Sequence, residues 1–231
     1  HLSLRRQRQM CIRDRFIADL SPAGRPGAML VGSSPEVLVK RQGSTVSAFP
    51  LAGSSPRRAT AAEDHIAGQD LLHSAKDLHE HSFVVEHLRR VLSPLCERLD
   101  IPDAPQLIST NEMWHLGTPI SGTLKDKDLT ALELALAAHP TPAICGTPAE
   151  AAQALIETAE TDRGFYAGAV GWCDSSGDGE YMVAIRCAEV AGDGLSARAW
   201  AGGGIVGDSD AQAELEETTA KLRTILKALS L

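Results

Sequence analysis

The stretch Phe165–Val206 reads FYAGAVGWCDSSGDGEYMVAIRCAEVAGDGLSARAWAGGGIV, and its pattern decides the fold class. Three apolar runs, Phe165–Cys173, Glu180–Val190 and Leu195–Val206, are separated by Asp174–Gly179 and by Gly192-Asp193-Gly194, Gly/Asp clusters of the kind that close β-hairpins. In the middle run, strand alternation sets Tyr181, Val183, Ile185 and Cys187 on one face and Met182, Ala184, Arg186 and Ala188 on the other. Beyond it, Asp208/Ser209 are placed to cap a last helix with Leu215, Leu222, Ile225 and Leu229 on its buried stripe.

The N-terminal half adds strands over Ala28–Gly32, Val37–Arg41 and Thr45–Pro50. The period then changes. Thr60-x-x-Glu63 is a capping-box signature, and Leu71, Ala75, Leu78, Ser82, Val85, Leu88 and Leu92 step by three and four, predicting one long helix that Ser93-Pro94 interrupts. Residues 101–105 form a turn-rich connector to a strand at Gln106–Ser109, and Leu129–Ala138 is a helix stopped by Pro140. Thr147-Pro148-Ala149-Glu150 supplies an N-cap, a proline at the first helical position and a carboxylate for a further helix. Strand runs and helix runs are segregated, so the class is α+β.

The chain has 231 residues, enough for one sizeable core, and its net charge of −8 argues against a nucleic-acid binder, which would carry a basic face. No apolar run reaches the roughly 20 residues that span a bilayer, so a soluble protein without membrane partners is expected. Five cysteines (Cys11, Cys96, Cys145, Cys173, Cys187) lack CxxC spacing and are odd in number, which points to a reducing cytoplasm rather than a disulfide framework. Residues 1–15 carry five arginines without an apolar period, lack a secretory core, and read as an adaptor-derived segment foreign to the fold. The globular text is assigned to 16–231.

Several residues suggest chemistry. Asp77 and Glu80 share one helical face, as do Glu214 and Glu217, with Lys221 four further on. Carboxylates facing one another from two helices would bind a hard cation such as Mg²⁺; read plainly, they are solvated helix charges with an i,i+4 pair. Gly202-Gly203-Gly204-Ile205-Val206-Gly207 matches G-x-G-x-x-G between a strand and a helix, but no second strand follows to complete a dinucleotide site; its exposed N–H groups would still hold an anion such as a carboxylate. Arg186 would add a bidentate carboxylate contact. Five histidines cluster on the long helix without an HExxH, which disfavours zinc, and His115 between Trp114 and Leu116 is either a core histidine or a site residue. Glu36, after Gly32-Ser33-Ser34-Pro35, is either a turn-capping acceptor or an acid/base group.

These segments, in this order, resemble the chorismate-utilising enzymes: isochorismate synthase, salicylate synthase and the large components of anthranilate and aminodeoxychorismate synthases. The matching stretches are Gly32–Leu38 (GSSPEVL), Pro50–Ser54 (PLAGS), Lys76–His81 (KDLHEH), Trp114–Leu116, His139–Pro148 (HPTPAICGTP), Gly171–Asp174 (GWCD), Ile185–Ala188 (IRCA), Gly202–Val206 and Glu214–Leu222 (ELEETTAKL). HPTPAICGTP with GWCD is most similar to the isochorismate synthases of catecholate-siderophore pathways.

The resemblance implies antiparallel sheets packed with helices, a chorismate substrate, a Mg²⁺ ion and a monomeric intact enzyme. Glu80 and Glu217 would hold the ion, supported by Asp77 and Glu214. Arg186, Lys221 and Gly202–Gly204 would hold the enolpyruvyl carboxylate, with Gly53, Ser54, His115, Ala143, Ile144 and Tyr166 around the ring. Glu36 would protonate the departing C4 hydroxyl, which requires a raised pKa. The family's water-activating lysine lies on a strand N-terminal to the Ser-Pro-Glu motif, whereas the first lysine here, Lys40, follows it. The resemblance therefore implies a C-terminal fragment of an isochorismate synthase, weak or inactive alone. A salicylate synthase, or a non-catalytic remnant that binds chorismate and Mg²⁺, are the alternatives.

Overall fold

A computed structural model describes residues 15–228. In chain order the elements are β1 (Arg15–Asp19), β2 (Met29–Ser33), β3 (Val37–Gln42), β4 (Thr45–Phe49), β5 (Leu51–Pro56), α1 (Ala61–His73), α2 (Ala75–Leu92), β6 (Cys96–Asp100), β7 (Gln106–Ser109), β8 (Met113–Gly117) and β9 (Ile120–Leu124). They continue with α3 (Ala131–Ala138), α4 (Ala149–Ala159), β10 (Ala169–Cys173), β11 (Gly179–Val183), β12 (Cys187–Val190), β13 (Ala197–Ala199) and α5 (Ala211–Ala228). The α+β class holds, with antiparallel pairing throughout.

Three sheets form, in the orders β1-β2-β12-β13, β10-β11-β3-β4-β9-β6 and β5-β8-β7. The main core lies between the six-stranded sheet and α2 and α3. Leu38, Val39, Val46, Ile120 and Leu124 from the sheet meet Val84, Leu88 and Leu92 from α2 and Leu134 from α3. A smaller core of Phe16, Leu20, Leu30, Met182 and Cys187 lies beneath the four-stranded sheet. Arg15, the last residue of the segment read as foreign, opens β1 opposite Ser33; residues 1–14 lie outside the described residues.

The single long helix is in fact two. Thr60 caps α1, its side chain accepting from the Glu63 N–H at 3.3 Å. The helix stops at His73 because Ser74 is extended (φ −68°, ψ 113°) and caps α2 by accepting from the Asp77 N–H at 3.3 Å. The buried face of α2 is His81, Val84, Leu88 and Leu92, whereas Ser82 is exposed. The stripe shifts because His81 is a satisfied interior group: its ring nitrogens meet Thr118 Oγ1 at 2.7 Å and the Ala52 carbonyl at 3.1 Å.

Other boundaries also move. The hairpin β10–β11 closes over Asp174–Asp178, one residue short of the expected turn, and β12–β13 over the Gly192–Gly194 turn. The run 180–190, however, breaks after Val183. Arg186 adopts φ 52°, a left-handed backbone that no strand continues through, and the chain leaves the six-stranded sheet for the four-stranded one. Two-face alternation therefore fails there, with Met182, Val183, Ala184, Arg186, Cys187 and Ala188 all buried. Only Ala197–Ala199 of the 195–206 run is strand, and only Ala169–Cys173 of the 165–173 run. Pro148, not Thr147, is the N-cap of α4. Asp210, not Asp208 or Ser209, caps α5, accepting from the Ala213 N–H at 2.9 Å. On that helix Ile225 is buried but Leu215 is exposed, and Leu229 lies outside the described residues. Strands β5, β6 and β8 carry no alternation strong enough to be read from sequence, whereas β9 does alternate, with Ile120, Gly122 and Leu124 buried, and was not expected.

Candidate active site

The three sheets meet where β11 hands over to β12, and the polar residues collect in a cleft there. Glu36 enters it from the turn before β3. Its backbone N–H is held by Ser34 Oγ at 3.2 Å, and its carbonyl accepts from the Val183 N–H at 3.2 Å. The side chain is buried. Burial raises its pKa to about 8, against the lowering effects of the Leu51 N–H and the charges of Lys221 and Arg186. The carboxyl is therefore predominantly protonated at neutral pH.

Arg186 does not project from a sheet face; its left-handed backbone aims the guanidinium into the cleft. The residue is buried, and burial lowers its pKa. Its Nη2 lies 3.4 Å from Nε2 of His115, which β8 presents from the opposite wall. Burial, then the charges of Arg186 and Lys221, hold His115 well below its ordinary pKa, so the ring is neutral. Among the described residues Arg186 has no carboxylate ion-pair partner, which leaves a desolvated cation available to an anionic ligand.

The acidic side is built by α2 and α5. Gly53 on β5 has φ +76°, and a Cβ there would lie 3.0 Å from Asp77 Cβ, so glycine lets β5 approach α2 closely. The Gly53 N–H then donates to Glu80 Oε1 at 3.4 Å, and Ser54 Oγ donates to Glu217 Oε1 at 2.7 Å. Burial, then the charge of Glu217, raises the Glu80 pKa to about 7. Lys221 pairs with Glu217 at 2.5 Å and donates to the Gly202 carbonyl at 2.9 Å. Glu214 pairs with Lys76 at 2.6 Å, leaving its Oε2 buried without a partner. Asp77 is turned away from this group, its carboxylate accepting from Ser74 Oγ at 2.5 Å.

The triple-glycine segment packs directly on these acids. A Cβ on Gly203 would sit 3.0 Å from Glu214 Oε2 and 3.7 Å from Glu217 Oε1, and one on Gly204 would collide with the Glu80 carboxylate. The glycines are thus needed for close approach to side chains. They lie in irregular chain ahead of α5 rather than at its N-terminus, so the phosphate-loop reading fails on geometry. Tyr166 stacks on Trp200 (centroids 6.1 Å apart, 8° between planes), and the Arg163 guanidinium lies over the Tyr166 ring, 6.0 Å from its centroid.

Glu36, Gly53, Ser54, Glu80, His115, Ala143, Ile144, Tyr166, Arg186, Gly202, Gly203, Gly204 and Lys221 line one pocket, with Glu217 and Glu214 behind the glycines. Sequence reasoning missed Pro35, Leu51, Arg163, Ile185 and Trp200 in the same lining. Trp200 carried a usable signal, a lone tryptophan beside Ala201-Gly202; Arg163 carried none. The pocket pairs a cationic wall (Arg186, Lys221) and a neutral acid (Glu36) with an acidic wall, an arrangement for a small ligand with carboxylates.

The acidic wall fits a hard divalent cation. Its donors are all oxygens, Glu80 and Glu217 repel each other, and Glu214 Oε2 is buried and unsatisfied. As they stand, no three His, Cys, Asp or Glu side chains among the described residues already form such a set. Lys76 and Lys221 each pair with one of these carboxylates.

The family model described as "Chorismate binding enzyme" matches residues 20–230. The chain belongs to this family. Isochorismate synthase DhbC of Bacillus subtilis is 49% identical over 217 residues, 93% of this chain and 54% of that protein. MenF of Mycobacterium tuberculosis is 54% identical over 216 residues, 93% of this chain and 58% of that protein. The crystal structure of DhbC from Bacillus anthracis superposes with a TM-score of 0.91 at 45% identity, covering 97% of this chain and 61% of that one. The chain therefore spans little more than half the length of the relatives it matches.

Proposed function

We propose that this chain carries the ligand site of an isochorismate synthase, which isomerises chorismate to isochorismate by adding water at C2 and releasing the C4 hydroxyl as water. The observation that carries this reading is Glu36: a buried carboxyl raised to about 8, in one pocket with Arg186 and Lys221. Relatives named isochorismate synthase support the choice within the family.

Arg186, with its desolvated charge, and Lys221, with the Gly202–Gly204 backbone, would bind and orient the enolpyruvyl carboxylate. Neutral His115 would accept from Arg186 and fix the guanidinium. Glu36 would hold its proton until the C4 hydroxyl departs and then deliver it, leaving a carboxylate that the neighbouring cations stabilise. Glu80, Glu217 and Glu214 would hold Mg²⁺, and Asp77 would support them only through its helix. When bound, the ion would supply Lewis-acid stabilisation of charge on the ring carboxylate. None of the residues placed here takes the water's proton; the family resemblance assigns that step to a lysine outside this stretch.

The product would feed 2,3-dihydroxybenzoate or menaquinone synthesis in the cytoplasm, with the intact enzyme a monomer. No helix among the described residues is long and apolar enough to cross a membrane. The test is chorismate with Mg²⁺ and the purified chain, with products read by mass and binding read by calorimetry. Chorismate binding with turnover to isochorismate, however slow, supports the reading. Salicylate with pyruvate would instead make it a salicylate synthase, and binding without any turnover a non-catalytic remnant. Failure to bind chorismate would overturn the assignment.

A further inference from the structure

Lys76 takes no part in the pocket just described. It stands on the first turn of α2 and lines a separate groove with Arg58, Asp70 and Glu216; this groove shares Ser54 with the pocket. Its ammonium pairs with Glu214 Oε1 at 2.6 Å, and the charges of Asp77 and Glu80 act on it as well. The carboxylates Glu80, Glu214 and Glu217 therefore share two ammonium groups, and only one of these, Lys221, reaches the ligand pocket.

We propose that Lys76 is a built-in counter-cation that sets how tightly this carboxylate group takes a divalent ion. It neutralises Glu214 when the ion is away and opposes the ion when it arrives. The inference rests on the cation reading given above. Lys76 is a positioning residue here, because it acts through Glu214 and touches no substrate. One unit charge about 6 Å from a divalent ion, at the dielectric of ~80 of bulk water, changes affinity by about tenfold, and by more at the lower dielectric of a protein surface.

Titration calorimetry of the chain with MgCl₂ alone, without chorismate, tests this in three proteins. Lys76→Met is expected to bind Mg²⁺ about tenfold tighter than the parent, and Lys76→Arg, which keeps the charge, to match the parent. Saturating Mg²⁺ should also raise the melting temperature more in Lys76→Met than in the parent, since the ion then replaces the lost partner of Glu214. Equal or weaker Mg²⁺ binding by Lys76→Met overturns the proposal while leaving the cation reading intact. A parent that takes up no Mg²⁺ overturns the cation reading itself. If circular dichroism shows Lys76→Met unfolded, Lys76→Gln, which keeps a polar group at the position, is judged by the same two outcomes.

Discussion

Ser54 Oγ donates to Glu217 Oε1 over 2.7 Å, joining two residues 163 positions apart in sequence. This bond ties β5 to α5 and fixes one oxygen of a carboxylate whose other contact is Lys221. Ser54→Ala removes a hydrogen bond to a charged group and is expected to cost about 1.5–3 kcal/mol. Chemical denaturation should show that loss, and calorimetry should show weaker Mg²⁺ binding as Glu217 gains freedom.

Glu36→Gln keeps the shape of the acid and removes its proton. The predicted result is loss of isomerisation with chorismate affinity kept within a few-fold, measured by turnover and by titration. Stability carries a second signature. A carboxyl raised from 4.5 to about 8 binds more protons folded than unfolded, so its contribution is complete below pH 4.5 and is lost as pH rises towards 8. Melting temperatures measured from pH 5 to pH 8 should fall less steeply in Glu36→Gln than in the parent. Identical slopes would place the Glu36 carboxyl in contact with solvent.

Gly204→Ala forces a methyl group into the Glu80 carboxylate. Glu80 must swing away, and Mg²⁺ affinity is expected to fall at least about tenfold, which is about 1.4 kcal/mol. The glycine lies in irregular chain, so the melting temperature should change little. Unaltered Mg²⁺ binding would remove Glu80 from the cation site.

His81→Leu leaves the Thr118 hydroxyl and the Ala52 carbonyl without their buried partner. A loss of about 1–3 kcal/mol for unsatisfied groups is expected in urea titration. Leu88→Ala, at a fully buried position between α2 and the six-stranded sheet, should cost about 2–5 kcal/mol by cavity formation.

The site was more legible in the sequence than the fold around it. Glu217 and Lys221 are brought together by helical spacing, which survives in sequence, whereas Glu80 was set beside them only by the family resemblance. Glu36 stands between a turn and a strand, a place that by itself left it either a turn-capping acceptor or an acid/base group, and the resemblance chose the second. What failed was continuity. Ser74 kept the three-and-four rhythm going across a helix break, because a serine that caps looks like any other serine on a stripe. Arg186 kept the two-residue rhythm going across a sheet change, because a left-handed backbone leaves no mark when the residue is not glycine. The lysine pairings, which turn an open cluster of acids into a neutralised one, depend on side chains 138 residues apart in the case of Lys76 and Glu214.

The walls of the pocket run from Pro35 to Lys221, so all of that stretch must be made before the pocket is complete. An emerging polypeptide holds the acid without the guanidinium, then both without the helix that brings Glu217. Closure of the pocket is thereby deferred until α5 docks. Before that, a growing copy holds the pocket's polar groups as separate pieces.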